Sequence, residues 1–223
     1  MPELNVPSGS EAGLDGAHPS EIPGHKLLRC IGRGSYGEVW LAQSAAGEYR
    51  AAKIVYRKTF ERDRPFQREF EGIQKFEPVS RASPSQVSIL QVGRDDAAGF
   101  FYYVMELADD QRSGRQIDPA TYKPRTLRSE VAATGRLPYD RALDISLSLA
   151  KALQHLHAHD LIHRDIKPSN IIFVDGVPKL ADIGLVTDVG ASMQRRVYGL
   201  SQALSAVNLL ILLQSSVLGH CTR

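Results

Sequence analysis

Two short stretches of this sequence could together handle a phosphorylated ligand. Gly32-Arg33-Gly34-Ser35-Tyr36-Gly37-Glu38-Val39 sets three glycines between two strand-like runs. Without Cβ atoms such a turn lets backbone N–H groups approach and cradle phosphate oxygens. Read alone, the pattern equally suits a glycine-rich hairpin. Because a strand and not a helix follows it, it is not a dinucleotide-binding fingerprint. The second stretch, His163-Arg164-Asp165-Ile166-Lys167-Pro168-Ser169-Asn170, puts a carboxylate, an ammonium and an amide on one polar loop. A solvated loop has no reason to choose these types in this order. Ala181-Asp182-Ile183-Gly184 adds a second carboxylate, Asp182, at a strand end before a glycine. Lys53 lies inside the apolar run Ala51–Val55, where an ammonium must find a charge partner or face a cleft, unless it stands on an exposed strand face. Glu69, flanked by Phe66, Phe70 and Ile73 on the following helix, could face the sheet and pair with it. Its rival Glu71 points roughly 200° away on the helical wheel, among charged positions.

The elements that must position these groups follow from periodicity. His25–Gly34, Gly37–Ala45 and Gly47–Tyr56 read as a three-stranded antiparallel meander. Phe66, Phe70, Ile73 and Phe76 recur at helical spacing, predicting an amphipathic helix of about four turns over 63–76. Two strands follow across an Asp-Asp-Ala-Ala-Gly turn. Residues 108–137 are polar and interrupted by Pro119 and Pro124. Ala142, Ile145, Leu149, Leu153 and Leu156 then line one face of a long helix over 139–160, and two short strands follow the polar loop. The order is a β-rich lobe with one helix inserted, then the start of a helical lobe, an α+β architecture.

These motifs, in this order from Lys26 to Thr187, resemble a protein kinase of the bacterial Hanks type, eukaryotic-like and specific for serine and threonine. The resemblance implies a complete N-lobe, a partial C-lobe, and ATP and Mg²⁺ as ligands. By similarity, Gly32, Gly34, Ser35, Gly37 and Val39 cover the phosphates, and Lys53 contacts them, oriented by Glu69. Asp182 and Asn170 hold Mg²⁺, Asp165 takes the substrate hydroxyl's proton, and Lys167 neutralises the transferring group. Adenine lies between Val39 and Ala51 above and Ile172 below, bonded to backbone from Glu106 to Ala108, with Met105 at the rear. Lys167 favours serine/threonine specificity over tyrosine, and argues against a small-molecule phosphotransferase. Arg164 resembles the arginine that pairs with a phosphorylated activation loop, with Thr187 and Ser192 the nearest hydroxyls.

Composition sets the remaining bounds. The 223 residues carry a net charge of +2, which gives nucleic acid no electrostatic footprint. Two cysteines form no disulfide framework, and the N-terminus has no signal-peptide pattern, so a cytoplasmic protein is expected; the kinase resemblance implies protein serine or threonine as its substrate. His155, His157, His159 and His163 invite a metal reading, but no cysteine or acid completes a ligand set. The sequence reading divides the chain into a disordered lead-in (1–24), an N-lobe with its hinge (25–108), a partial C-lobe (109–189) and an apolar tail (190–223). Ile183 stands where the family usually has phenylalanine. After it, no family-like anchor for the activation segment is found, and residues 200–219 carry no charge. That stretch reads as a membrane anchor, a substitute helix, or a truncated or frame-shifted end, the last favoured by the abrupt change. An active kinase and an inactive ATP-binding or scaffolding fragment are therefore both carried forward.

Overall fold

A computed structural model describes residues 19–182 together with Thr187 and Asp188. In chain order the elements are β1 (Glu21–Ile22), β2 (His25–Gly34), β3 (Gly37–Ser44), β4 (Tyr49–Tyr56), α1 (Asp63–Ser80), β5 (Ile89–Asp95), β6 (Phe100–Met105), α2 (Leu127–Thr134), α3 (Tyr139–Ala158), β7 (Leu161–Ile162), β8 (Ile171–Val174), β9 (Val177–Leu180) and β10 (Thr187–Asp188). Strands β1 to β6 make one antiparallel sheet in the order β1-β2-β3-β4-β6-β5. The hairpin β8-β9 and the pair β7-β10 belong to the second lobe. This is the expected α+β, protein-kinase-like arrangement.

Strict alternation along β6 puts Phe101, Tyr103 and Met105 on one face and Phe100, Tyr102 and Val104 on the other. Both faces are buried. The first joins Phe66, Ile73 and Phe76 of α1 and, across the cleft, Leu127, Ile145, Leu149, Leu156 and Phe173 in one continuous core. The second face closes on Ile22, Leu27, Trp40, Ala52 and Ile54 in a separate cluster. One core spanning both lobes fixes the cleft between them, so the sheet and α3 position the site together.

Three sequence expectations change. Glu21–Ile22 pairs with Lys26 and His25, and Ile22 is buried, so the end of the supposed lead-in is a strand. Residues 1–18 lie outside the described residues. Helix α1 continues past Phe76 to Ser80 despite Pro78. Ser80 Oγ donates to Glu77 O and accepts from Ile89 N–H, securing the last turn. Within 108–137 an unexpected helix, α2, begins at Thr126, whose hydroxyl and Ser129 form a reciprocal cap. It ends at Gly135, which adopts φ 71°. The Thr-x-x-Ser start and the glycine stop were the signal available in the sequence.

Candidate active site

The glycine-rich turn is a tight β2-β3 connection in which Gly34 pairs with Gly37. None of Gly32, Gly34 and Gly37 has a positive φ, so the turn exploits the missing side chains and not left-handed backbone. The three differ in kind. A Cβ on Gly37 would stand 2.0 Å from Ile54 O, so packing against β4 alone demands glycine there. A Cβ on Gly34 would meet nothing closer than Gly37 O at 4.0 Å, and one on Gly32 only Val39 Cβ at 3.7 Å. The chain itself leaves that space open, as a cradle for phosphate requires. Tyr36, at the tip, stacks on Phe60 with centroids 4.7 Å apart, and its carbonyl accepts from Tyr56 N–H and Thr59 Oγ1.

Behind the turn, β4 carries Lys53 onto the face that meets α1. Lys53 is hydrogen-bonded to Asp182 Oδ1, and its ammonium lies 5.9 Å from the centre of the Tyr103 ring. Burial works against the Lys53 charge, but Tyr103, Asp182 and Glu69 outweigh it and hold its pKa above the ordinary lysine value. Burial likewise opposes the charge on Asp182, yet the attraction of Lys53 and their hydrogen bond keep that carboxyl below its usual range. Glu69 faces the sheet as the helical wheel predicts and is only 9% exposed. Its Oε1 is buried without a hydrogen-bond partner. Burial pushes its pKa up to about 7, with Lys53 pulling the other way and Asp182 adding to the rise. The expected Lys53–Glu69 pairing is thus corrected in its geometry: Lys53 takes the carboxylate across the cleft, and Glu69 stays close enough to interact without bonding.

The loop from His163 to Asn170 is tied from within. Lys167 Nζ donates to Asp165 Oδ2 at 2.6 Å. Asn170 Nδ2 donates to Asp165 O and Oδ2, both at 2.9 Å. With both amide hydrogens used, Asn170 Oδ1 faces only Ser169 Oγ at 3.5 Å. His163 is fully buried. Its Nδ1 accepts from Asp165 N–H at 3.4 Å, so its Nε2 is the protonated nitrogen, donating to Ala181 O at 2.9 Å. Burial lowers its pKa, which keeps the ring neutral. His163 therefore links Asp165 to the residue before Asp182, a positioning role the sequence reading did not assign. Arg164 and Asp182 both have positive φ, 65° and 58°, a backbone cost of about 1–3 kcal/mol each, which concentrates at working sites.

The residues expected around a base pack against one core. Ala51 and Met105 are buried in the main core, and Val39 and Ile172 pack partly buried against it. Glu106 N–H is spent on Ser88 O, and its carboxylate holds Lys179 at 2.7 and 2.8 Å. Ala108 N–H and Glu106 C=O have no backbone partner among the described residues, which leaves one donor and one acceptor for a planar base. The donors for a metal suit magnesium: the Asn170 side-chain oxygen, held only by the long bond from Ser169 Oγ, and the Asp182 carboxylate are hard oxygen ligands from facing loops. His155 Nε2 is within 3.0 Å of Val79 O and His159 Nδ1 within 2.9 Å of His155 O, so both rings are engaged with backbone. The Thr187 side chain and Ser192 lie outside the described residues, as do Ile183 and residues 200–219. Among the described residues no helix is long and apolar enough to cross a membrane.

A two-lobed fold with these groups in its cleft is that of a protein kinase. The protein kinase domain model matches residues 25–210, and the chain belongs to that family. It is 30% identical over 173 residues to a probable serine/threonine-protein kinase of Clostridium perfringens, covering 75% of this chain and 22% of that protein. Identity is also 30% over 172 residues to serine/threonine-protein kinase PrkC of Bacillus subtilis (75% and 24% covered). It is again 30% over 177 residues to PknA of Mycobacterium tuberculosis (75% and 36% covered). These are Hanks-type enzymes, and this chain is of the same type. It spans between 22% and 36% of the length of these curated relatives.

Proposed function

We propose that this chain binds Mg²⁺–ATP and transfers the γ-phosphoryl group to a serine or threonine hydroxyl of a protein. The observation that carries this reading is the convergence in one cleft of Lys53, Asp182, Asn170 and Asp165, held by the bonds described above. Bound Mg²⁺ would neutralise phosphate charge, with Asn170 and Asp182 holding it. Lys53 holds phosphate oxygens beneath the Gly32–Val39 turn, and Ser35 lies at the tip of that turn. Asp165 accepts the hydroxyl's hydrogen bond and takes its proton as the new O–P bond forms and the bond to the ADP oxygen breaks. Lys167, already on Asp165 Oδ2, supplies positive charge beside the transferring group.

A second reading has its own support. With Glu69 unbonded and Lys53 turned to Asp182, the chain could bind nucleotide without transferring phosphate, as a scaffold. One experiment separates the two. Thermal shift with Mg²⁺–ATP is measured beside radiolabel transfer to a generic basic protein, with Asp165→Asn as control. Transfer that disappears in the variant establishes the kinase. A nucleotide shift without transfer establishes the scaffold, and the absence of any shift sinks both.

A further inference from the structure

The segment that follows the hinge is not idle. At its base, Asp109 N–H donates to Phe173 O at 2.7 Å, Arg125 N–H to Asp109 O at 2.8 Å and Phe173 N–H to Arg125 O at 3.1 Å, so both ends are stitched to β8 of the second lobe. The Asp109 carboxylate adds bonds to the N–H groups of Asp175 and Gly176. Between these ends, Asp110 closes the loop on itself: Oδ1 accepts from Arg112 and Ser113 N–H, and Oδ2 from Lys123 N–H. Tyr122, 1% exposed, donates from its hydroxyl to Ala108 O in the hinge at 3.0 Å. The far side of this closed loop meets the first lobe. Arg29 of β2 donates from Nε to Pro119 O at 3.1 Å and from Nη2 to Tyr122 O at 2.5 Å.

A bulge is what aims Arg29 there. Leu27 pairs with Ala42 and Arg29 with Leu41, so Leu28 is an extra residue in β2. Leu27 and Cys30, an odd number of positions apart, consequently share the face of the second apolar cluster, with their partners Ala42 and Trp40. Arg29 stands on the other face, that of Val39 and the cleft. In an unbulged strand it would share the face of Leu27 and point away from the hinge segment. The back of the cleft is closed separately, by Val87 N–H to Leu180 O, Leu180 N–H to Ser85 O and Gln86 Nε2 to Ala152 O.

We propose that residues 110–124 are a strap tying the second lobe to β2 through Arg29, which makes Arg29 a positioning residue for the glycine-rich turn. The strap holds the turn at a fixed height over the cleft, and this use of it rests on the nucleotide-binding reading above. A released strap lets the turn sample heights at which its N–H groups miss the phosphates, so apparent affinity falls with the competent fraction.

Two measurements on the full chain test this. In the absence of nucleotide, Arg29→Ala is expected to speed amide exchange across Gly32–Gly37 by on the order of tenfold. In a Mg²⁺–ATP titration read on Trp40, the one tryptophan of the chain, affinity is expected to fall about 3–10-fold, with KM for ATP rising and kcat at saturation unchanged. Arg29→Lys keeps a single donor and should fall between. Replacing 112–122 with a short Gly-Ser linker should reproduce Arg29→Ala, and combining the two should add nothing. That linker variant also carries the test if Arg29→Ala fails to fold. Unchanged exchange at Gly32–Gly37, or additive effects in the combined variant, overturns the strap. Faster exchange in a chain that shows no nucleotide binding even as wild type upholds the tie and overturns its role in binding.

Discussion

The two walls of the cleft differ in how completely their polar groups are satisfied. Along the lower wall, His163, Asp165, Lys167 and Asn170 are bonded to one another within a few residues of chain, and His163 also to Ala181, 18 positions on. On the upper wall, Glu69 is buried with an unbonded oxygen, Tyr103 has a buried hydroxyl without a hydrogen bond, and Lys53 reaches across the cleft for its partner. A satisfied loop has one low-energy arrangement. A buried carboxylate near a lysine that is bonded elsewhere has a competing arrangement close by, in which the lysine changes partner. The lower wall thus holds its polar groups in bonds, while the upper wall leaves two buried oxygens without them.

Substitutions should report this contrast. The largest effect is expected at Asp165: Asp165→Asn keeps the loop's shape but should lower phosphoryl transfer by about 10²–10⁴-fold, with ATP-induced thermal shift retained. Next comes His163→Ala, which removes a buried ring and strands Ala181 O and Asp165 N–H. Chemical denaturation should show a loss of about 2–4 kcal/mol, and a loss below about 0.5 kcal/mol would mean the loop does not depend on the ring.

Glu69→Gln should act in the opposite direction on stability. Because the Glu69 pKa is raised from 4.5 to about 7 on folding, the folded state holds its proton more tightly than the unfolded state. Its contribution is fully present below pH 4.5 and is lost as pH rises through 7, by up to about 3 kcal/mol. Glu69→Gln should therefore be more stable than wild type at pH 8 by roughly 1–3 kcal/mol and flatter between pH 5 and 8. Urea midpoints across that range give the answer. A variant that is both more stable and slower in transfer would show that the upper wall trades stability for a response to nucleotide. The smallest stability effect is expected at Gly34. Gly34→Ala should change stability by less than about 0.5 kcal/mol while weakening Mg²⁺–ATP, whereas Gly37→Ala, blocked by Ile54 O, should cost about 1–3 kcal/mol.

Much of this was readable from sequence wherever the argument was local. The face of α3 is written in Ala142, Ile145, Leu149, Leu153 and Leu156, all of them buried in the main core. The hairpin turn at Asp175 and Gly176 follows from its Asp-Gly pair, whose φ values are 52° and 75°. Helix α2 was missed because its apolar stripe is short, although its caps were visible. The bulge at Leu28 was missed because alternation of period two cannot reveal an inserted residue until the partner strand is known.

The sequence by itself determined one grouping of the candidate site. Asp165, Lys167 and Asn170 are close in space because they are close in the chain. Tertiary structure alone decided the partners. Lys53 is 129 positions from Asp182 and far nearer in sequence to Glu69, yet it bonds to Asp182. Arg29 meets carbonyls 90 and 93 positions away. Which charge or donor wins such a contest depends on separations of an ångström and on local burial, since both the attraction and the desolvation cost vary steeply with them. Spacing along a chain carries neither quantity.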